Sequence, residues 1–239
     1  MKLLTPRALV IFSVLLAFGS LTFARPDSGY HLLNTYKFGA APDSTTEYFD
    51  YITVDPAARR VYLSRGTAVE VMDADTGALI GYISGFKRQH GSAIAPEFNR
   101  GFITDGTLAQ VTIFDLKTLK TLGVAKAEPD ADCIIYDPAT KRVFTMNGDS
   151  HSSTAIDAKT GDVIKTIDLV GAPEFAVADG KGMIYANLAN KNQVAAMMPA
   201  LWKSNRNGPQ RRQGILPLWR WTASIGVCSA PAATRRCLS

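Results

Sequence analysis

The chain is 239 residues long, enough for one large domain or two small ones. Its 46% hydrophobic residues and net charge of +5 exclude an intrinsically disordered or collagen-like chain, and three cysteines are too few for a disulfide scaffold. The charge is unevenly spread: residues 198–239 hold seven Lys or Arg and no Asp or Glu, whereas residues 25–197 hold 17 basic and 21 acidic residues. The basic character therefore belongs to the carboxyl-terminal segment.

Residues 1–24 have the order of a secretory signal peptide. The first seven residues include the basic Lys2 and Arg7, and residues 8–23 are uncharged and mostly apolar. Ala24 is the last residue of a cleavage site with small side chains. This stretch of 16 residues is shorter than the about 20 that a membrane-spanning helix needs, which disfavours a permanent anchor. We predict cleavage after Ala24, a secreted or periplasmic location, and no stable membrane insertion after cleavage.

A repeat of 41 to 42 residues organises residues 25–196. Turns of the type Asp-x-x-Thr recur at intervals of 42 residues, and their first residues are Asp73, Asp115 and Asp157. A second marker, an apolar run such as Arg-Val-Tyr-Leu, recurs at intervals of 41 residues, and its copies begin at Arg60, Gly101, Arg142 and Met183. Two independent markers with nearly one period indicate a repeat protein.

Each repeat contains short apolar runs rich in Val, Ile, Tyr and Phe, separated by turn residues, and such runs are typical of β-strands. In the first repeat, the predicted strands are 51–54, 60–64, 68–72 and 79–84. Four short antiparallel strands in about 40 residues form one blade of a β-propeller. The sequence therefore predicts an all-β, incomplete propeller of about three full blades and part of a fourth; a β-solenoid, whose coils are usually shorter, is the main rival.

The Asp-x-x-Thr-Gly turns, the Arg-Val-Tyr-Leu run at Arg60 and the turn at Asp137 resemble those of YVTN-type, or YncE-like, β-propeller repeat proteins over about residues 30–196. The resemblance implies an exported, seven-bladed protein. Lactonases and the propeller domains of some redox enzymes have similar blades, so the resemblance does not separate a binding protein from an enzyme. Residues 30–38 are predicted to form a lone strand that closes the ring by pairing with a last blade.

The repeat and the acidic residues stop together near Met197. The DNA that encodes the segment from Leu218 onward can also be read in another frame, which begins at the third base of each codon. In that frame it can encode a strand-turn-strand unit like residues 134–144. We therefore interpret residues 197–239 as an out-of-frame, disordered segment after a frameshift; a natural basic tail is the alternative. The segment also holds Trp202, Trp219 and Trp221, a composition typical of nucleic-acid surfaces. Because no repeated pattern underlies it, we predict no nucleic-acid partner.

The main candidate site is a set of polar residues that lead into the first strand of four successive repeats, namely Asp50, His90, Asp132 and Glu174. In a propeller these loops meet at the mouth of the central funnel, so the four residues predict a polar ring. Carboxylates and an imidazole suit a divalent metal ion or a polar ligand. The alternative is that they are solvated loop residues or turn caps.

A second group of candidate ligand-binding residues follows the second strand of its repeat. Its members are Asp105, Asn147 and His151. Asp105 and Asn147 each precede a glycine, and Asp-Gly and Asn-Gly are also common hairpin turns. For these three residues, the sequence is compatible with ligand binding and with turn formation.

The sequence contains no Gly-x-Ser-x-Gly elbow, phosphate-binding glycine loop, Cys/His zinc pattern or haem-attachment motif. We therefore expect a binding role towards a small ligand or a protein partner, without an evident cofactor apart from a divalent metal in the funnel. The alternative is a propeller enzyme of lactonase or metal-dependent hydrolase type that uses funnel carboxylates and His90. A propeller that lacks blades is also expected to be non-functional or to self-associate through its exposed edges.

Overall fold

The computed structural model of the chain describes residues 29–42 and 48–198, together with a short strand at 219–220. Nearly all regular structure in these residues is antiparallel β-sheet, arranged as four sheets of four strands that follow one another along the chain. A short 3₁₀ helix, Pro96–Phe98, is the one helical element of the described part. The predicted all-β fold built from four-stranded repeats is therefore confirmed.

Each sheet is one repeat, and its strands are ordered as in the sequence. The first sheet contains β1 (Ile52–Asp55), β2 (Arg60–Ser64), β3 (Ala68–Asp73) and β4 (Leu79–Ser84). The second contains β5 (Gln89–Ala95), β6 (Arg100–Asp105), β7 (Gln110–Asp115) and β8 (Thr121–Lys126). The third contains β9 (Ala131–Asp137), β10 (Arg142–Asn147), β11 (Ser152–Asp157) and β12 (Val163–Asp168). The fourth contains β13 (Pro173–Ala178), β14 (Ile184–Leu188), β15 (Gln193–Met197) and β16 (Trp219–Arg220).

Two predicted segments fall mostly or wholly on residues that the structure does not describe. The signal peptide, residues 1–24, lies outside the described residues. So does the predicted out-of-frame segment, apart from residues 197–198 and the strand β16, whose two residues pair with Gln193 and Val194 of β15. Both interpretations stay predictions.

The chain divides into two compact units, residues 1–37 and 38–239. In the first unit, the described residues 29–37 contain no strand, and Tyr30, Leu32 and Leu33 are almost fully exposed. The predicted closing strand at residues 30–38 is therefore wrong for this chain. A strand persists only where a neighbour satisfies its N–H and C=O groups, and no described strand pairs with residues 29–37.

The hydrophobic core of the second unit lies between successive sheets. Tyr62 of the first sheet packs on Phe114 of the second, with ring centroids 5.8 Å apart. Phe102 of the second sheet shares a cluster with Val143 and Ile156 of the third, and Phe144 of the third shares one with Ile184 of the fourth. Each blade thus buries its faces against its neighbours, as in a propeller.

The turn between the third and fourth strand of a sheet depends on the aspartate of the Asp-x-x-Thr motif. The Oδ1 atom of Asp73 accepts hydrogen bonds from the N–H groups of Asp75 and Thr76 and from the Thr76 hydroxyl, at 2.8 to 3.1 Å. The Thr76 contacts lower the pKa of Asp73 below its usual value. Gly77 then adopts a positive φ of 72°, which explains the glycine at the fifth position of the motif.

The pairing register corrects the second repeat marker by one residue. Arg60 pairs with Asp73, and Arg100 pairs with Asp115, so Arg100 rather than Gly101 is the counterpart of Arg60. With this correction, three buried aromatic side chains occupy the same place in successive blades, and they are Tyr62, Phe102 and Phe144. In the described residues, no helix is long and apolar enough to cross a membrane.

Candidate functional site at one end of the central cleft

The first strands of the four sheets, β1, β5, β9 and β13, line an open cleft of about 480 Å³. Each contributes four consecutive residues to the walls, and these runs are 51–54, 91–94, 133–136 and 175–178. The residues that directly precede these runs are Asp50, His90, Asp132 and Glu174. The sequence repeat therefore places all four predicted ring residues at equivalent positions, at the start of the innermost strands.

The structure brings three of the four side chains into contact. His90 Nδ1 lies 2.7 Å from Asp50 Oδ2, within hydrogen-bond distance, and 3.3 Å from Asp132 Oδ1. One ligand atom from each residue lies within 4.8 Å of the other two. We call Asp50, His90 and Asp132 the Asp–His–Asp cluster. The His90 side chain is 5% exposed and that of Asp50 is 28% exposed, so the cluster opens to solvent on its carboxylate side.

Two buried atoms of the cluster make no hydrogen bond. His90 Nε2 has none, and it lies beside Gly106, where a Cβ atom would come within 3.0 Å of it. Asp132 Oδ1 is in ion-pair range of His90 but also accepts no hydrogen bond. An unsatisfied buried polar atom costs about 1–3 kcal/mol and requires a specific explanation, such as an ion or a ligand that completes the site.

Contacts between neighbouring blades hold the backbone of the cluster in place. The Thr104 hydroxyl of β6 accepts a hydrogen bond from the Gly91 N–H (3.0 Å) and donates one to the Asp132 carbonyl (2.6 Å). The Gln89 side chain accepts a hydrogen bond from the Ser64 hydroxyl (2.7 Å) and donates one to the His90 carbonyl (3.0 Å). Thr104 and Gln89 therefore tie the first three sheets together next to the cluster.

The electrostatic environment disfavours the charge of Asp132. Burial is the largest cause that raises the pKa of this carboxyl, to about 6 in all, and repulsion from the carboxylates of Asp50, Glu174 and Asp130 contributes in the same direction. The His90 imidazole acts against this rise. Several carboxylates therefore lie close together at the site, with His90 as the neighbouring group that favours the charged form of Asp132.

Two tyrosines border the cluster. The Tyr48 hydroxyl donates a hydrogen bond to the Gln89 carbonyl (2.9 Å), and its ring centroid lies 6.5 Å from that of His90. Tyr51 stacks on Phe175 with ring centroids 6.0 Å apart. Burial raises the pKa of both tyrosines, so the hydroxyls stay protonated at neutral pH and act as hydrogen-bond donors.

The fourth predicted ring residue is not part of the cluster. Glu174 is exposed, and its backbone carbonyl lies 3.4 Å from the Tyr51 hydroxyl. Its carboxylate influences the cluster electrostatically, because its negative charge raises the pKa of Asp132.

The second group of predicted residues lies in loops with internal hydrogen bonds. The buried Asp105 carboxylate accepts bonds from the N–H groups of Lys87, Arg88 and Leu108, at 2.7, 3.3 and 3.0 Å. The buried Asn147 amide donates to the hydroxyls of Ser152 and Thr154, at 3.0 and 3.1 Å. The exposed His151 has a positive φ of 50°, and its Nε2 lies 3.5 Å from the Asn190 amide nitrogen. The local bonds of Asp105 and Asn147 favour a role in shaping these loops.

Sequence reasoning missed several residues of this region. Tyr48, Tyr51 and Thr104 were not candidates, because nothing in their local pattern shows that they meet the cluster from other strands. The ion pair between Arg88 and Asp130 (2.9 Å) was missed as well. Its members are 42 residues apart, one repeat length, which is the signal that could have drawn attention to it.

The walls of the cleft are mainly apolar. Four of its large side chains are about half exposed or more: Ile52 (62%), Val54 (53%), Val177 (50%) and Phe175 (49%). The Cys133 thiol also lies in the wall, where burial raises its pKa to about 12. The Asp–His–Asp cluster precedes these wall segments by one residue in each of three sheets, and mainly apolar walls beside a few polar groups are typical of small-molecule sites.

Comparison with known proteins gives distant relatives, and no protein-family model matches the chain. The chain is 25% identical over 176 residues to antigen Lp49 of Leptospira interrogans serogroup Icterohaemorrhagiae serovar copenhageni (strain Fiocruz L1-130), an alignment that covers 69% of this chain and 36% of the antigen. It is 29% identical over 96 residues to the uncharacterized protein YncE of Salmonella typhi, covering 39% of this chain and 27% of YncE. The chain thus matches about a third of the length of these relatives.

Among solved structures, hydrazine synthase of Kuenenia stuttgartiensis has a similar fold, with a TM-score of 0.57 and 14% sequence identity. The similar region covers 66% of this chain and 49% of that chain. This likeness concerns the fold alone. With the four sheets, it supports a propeller-like fold.

Proposed function

We propose that this chain is a propeller-type binding protein that takes a small ligand in the cleft and holds a polar group of that ligand at the Asp–His–Asp cluster. The convergence of Asp50, His90 and Asp132 from three successive sheets at one end of an apolar cleft carries the proposal. A cleft of about 480 Å³ has the size of a small-molecule site, roughly 300–1,000 Å³. Apolar walls would supply affinity, and the few polar groups would supply orientation.

A neutral apolar fluorophore, N-phenyl-1-naphthylamine, tests the apolar part of this site. We expect saturable binding to the full chain in the presence of a chelator, measured by the rise in fluorescence. Phe175→Ala and Val177→Ser should each raise the dissociation constant about tenfold, because each removes apolar contact worth about 1.5 kcal/mol.

The outer strand β8 offers matched controls. Leu122 and Val124 are exposed to a similar degree, 54% and 62%, and do not line the cleft. Leu122→Ala and Val124→Ser should leave the dissociation constant unchanged. Equal effects of the two pairs of variants, or no saturable binding, would contradict a specific site in the cleft.

We also propose that the protein is exported, acts without catalysis, and derives from a longer YncE-like repeat protein through a frameshift near Met197. The signal-like order of residues 1–24 supports export, and the loss of both repeat and acidic residues after Met197 supports the frameshift. The intact mass of the product from its native source tests export and the frameshift. A discrete species with the mass of residues 25–239 agrees with an exported product of this reading frame. A species that extends beyond Ser239 contradicts the frameshift. A product that retains residues 1–24 contradicts cleavage of the signal peptide.

A further inference from the structure

The Asp–His–Asp cluster collects two carboxylates and one imidazole without a basic side chain to balance them. Among the described residues, no Lys or Arg forms an ion pair with Asp50 or Asp132. Arg88 forms its ion pair with Asp130 instead. Within the described residues, the cluster thus has room in its charge balance for a bound cation.

The donor atoms fit a metal ion in kind, and one of their separations already has the spacing of a metal site. In a four-coordinate zinc site, ligand atoms lie about 2.0–2.2 Å from the metal, which places neighbouring ligand atoms about 3.3 Å apart. His90 Nδ1 and Asp132 Oδ1 are 3.3 Å apart, whereas His90 Nδ1 and Asp50 Oδ2 are at the hydrogen-bond distance of 2.7 Å. The Asp50 carboxylate is partly exposed, so it can turn to widen this second distance.

We propose that the Asp–His–Asp cluster binds a divalent first-row transition-metal ion through His90 Nδ1 and one oxygen each of Asp50 and Asp132. The inference rests on the proposed function, since it names what anchors the polar end of the ligand. Three protein ligands leave a coordination position open, as in zinc sites that bind a water molecule or a substrate. The favoured ligand class is then a molecule with an oxygen or nitrogen donor on an apolar body.

The surroundings of the cluster support a built site. Metal binding at His90 Nδ1 places the imidazole proton on Nε2, and it gives Asp132 Oδ1 the partner that it lacks. The hydrogen bonds of Thr104 and Gln89 fix the backbone of Asp132 and His90 before any metal arrives. Ligands held in position by a supporting shell lose little entropy on binding.

Isothermal titration of the full chain with Zn²⁺ tests the proposal. The protein should carry no histidine tag, and Cys228→Ser and Cys237→Ser should be present throughout, because both thiols can bind zinc. We expect one ion per chain. Asp50→Asn, Asp132→Asn and His90→Gln should each raise the dissociation constant at least about tenfold, since loss of even an outer-shell partner has an effect of that size.

The chain supplies matched controls for each ligand type. His31→Gln and Asp162→Asn each change an exposed residue outside the cluster, and the zinc affinity should not respond to them. Circular dichroism of every variant checks the fold. Asp50→Asn keeps the test valid if the buried His90 does not tolerate substitution, because Asp50 is partly exposed.

The outcomes separate the metal site from the cleft. Zinc binding that the cluster variants weaken and the controls do not affect supports the metal site. Absence of zinc binding, or zinc binding that survives in the cluster variants, overturns it. If the fluorophore still binds in chelator, the cleft function stands without the metal; if zinc binds and the fluorophore does not, the cleft function fails while the metal site remains.

Discussion

The His90 side chain, from the second sheet, contacts residues of the first and third sheets. It hydrogen-bonds to Asp50 from the start of the first sheet and faces Asp132 from the start of the third. The sequence could predict this meeting, because the three residues occupy equivalent places in a repeat whose first strands all surround one axis. It could not predict Thr104 or Tyr48, whose contacts with the cluster depend on how neighbouring blades pack.

Cys133 provides a prediction on a single thiol. Because burial raises its pKa to about 12, the thiol stays protonated and poorly nucleophilic at pH 8, and it becomes reactive only as the pH approaches 12. Iodoacetamide at pH 8 should therefore leave Cys133 unmodified in the native protein and modify it in denaturant, as measured by peptide mass spectrometry. Rapid labelling of Cys133 in the native protein would contradict its burial at the cleft wall.

At the scale of the strands, the repeat predicted the first sheet closely. The predicted strand 60–64 is β2, and the predicted strand 79–84 is β4. The strand boundaries followed from turn chemistry, since Asp73, Asp115 and Asp157 each bond the N–H groups two and three residues ahead. The marker at Gly101 was misplaced by one residue, because an apolar run alone does not fix the pairing register.

Gly101 gives a test of the corrected register. It lies opposite Phe114, and a Cβ atom at Gly101 would come within 2.0 Å of the Phe114 ring. Its counterpart in the third sheet, Val143, lies opposite the smaller Ile156. We therefore expect Gly101→Val to lower the free energy of unfolding by at least about 2 kcal/mol, measured by urea denaturation.

A second substitution and a control complete this test. Adding Phe114→Ile to Gly101→Val reproduces the valine and isoleucine pair of the third sheet, and it should recover part of the lost stability. Gly123 of β8 has no atom within 4 Å of the position that a Cβ atom would occupy, so Gly123→Ala should be neutral or slightly stabilising. A harmless Gly101→Val would mean that Phe114 does not cover Gly101.

At the scale of the whole molecule, the sequence predicted the type of fold better than it predicted the strand at residues 30–38. Short periodic runs and turns specify each blade locally, and the four sheets have the predicted strand order. The closing strand failed because it depends on a distant partner rather than on its own residues. The expected self-association through exposed edges stays a prediction; exposed apolar residues at the outer strands, such as Leu79, Leu122 and Val163, give it a physical basis.

The polar end of the cleft also belongs to this scale, because no single blade contains it. Asp50, His90 and Asp132 come from three repeats, and the cleft walls come from four. Repetition of the innermost strand therefore explains why these residues lie close together. The identity of the bound species depends on the side chains that differ between repeats.

Anomalous diffraction at the zinc edge, from crystals of the full chain grown with Zn²⁺, would show whether the Asp–His–Asp cluster holds a metal ion. We expect one strong peak about 2 Å from His90 Nδ1 and from an oxygen of each of Asp50 and Asp132. A peak elsewhere with none at this site, or a structure in which these three side chains do not meet, would contradict it.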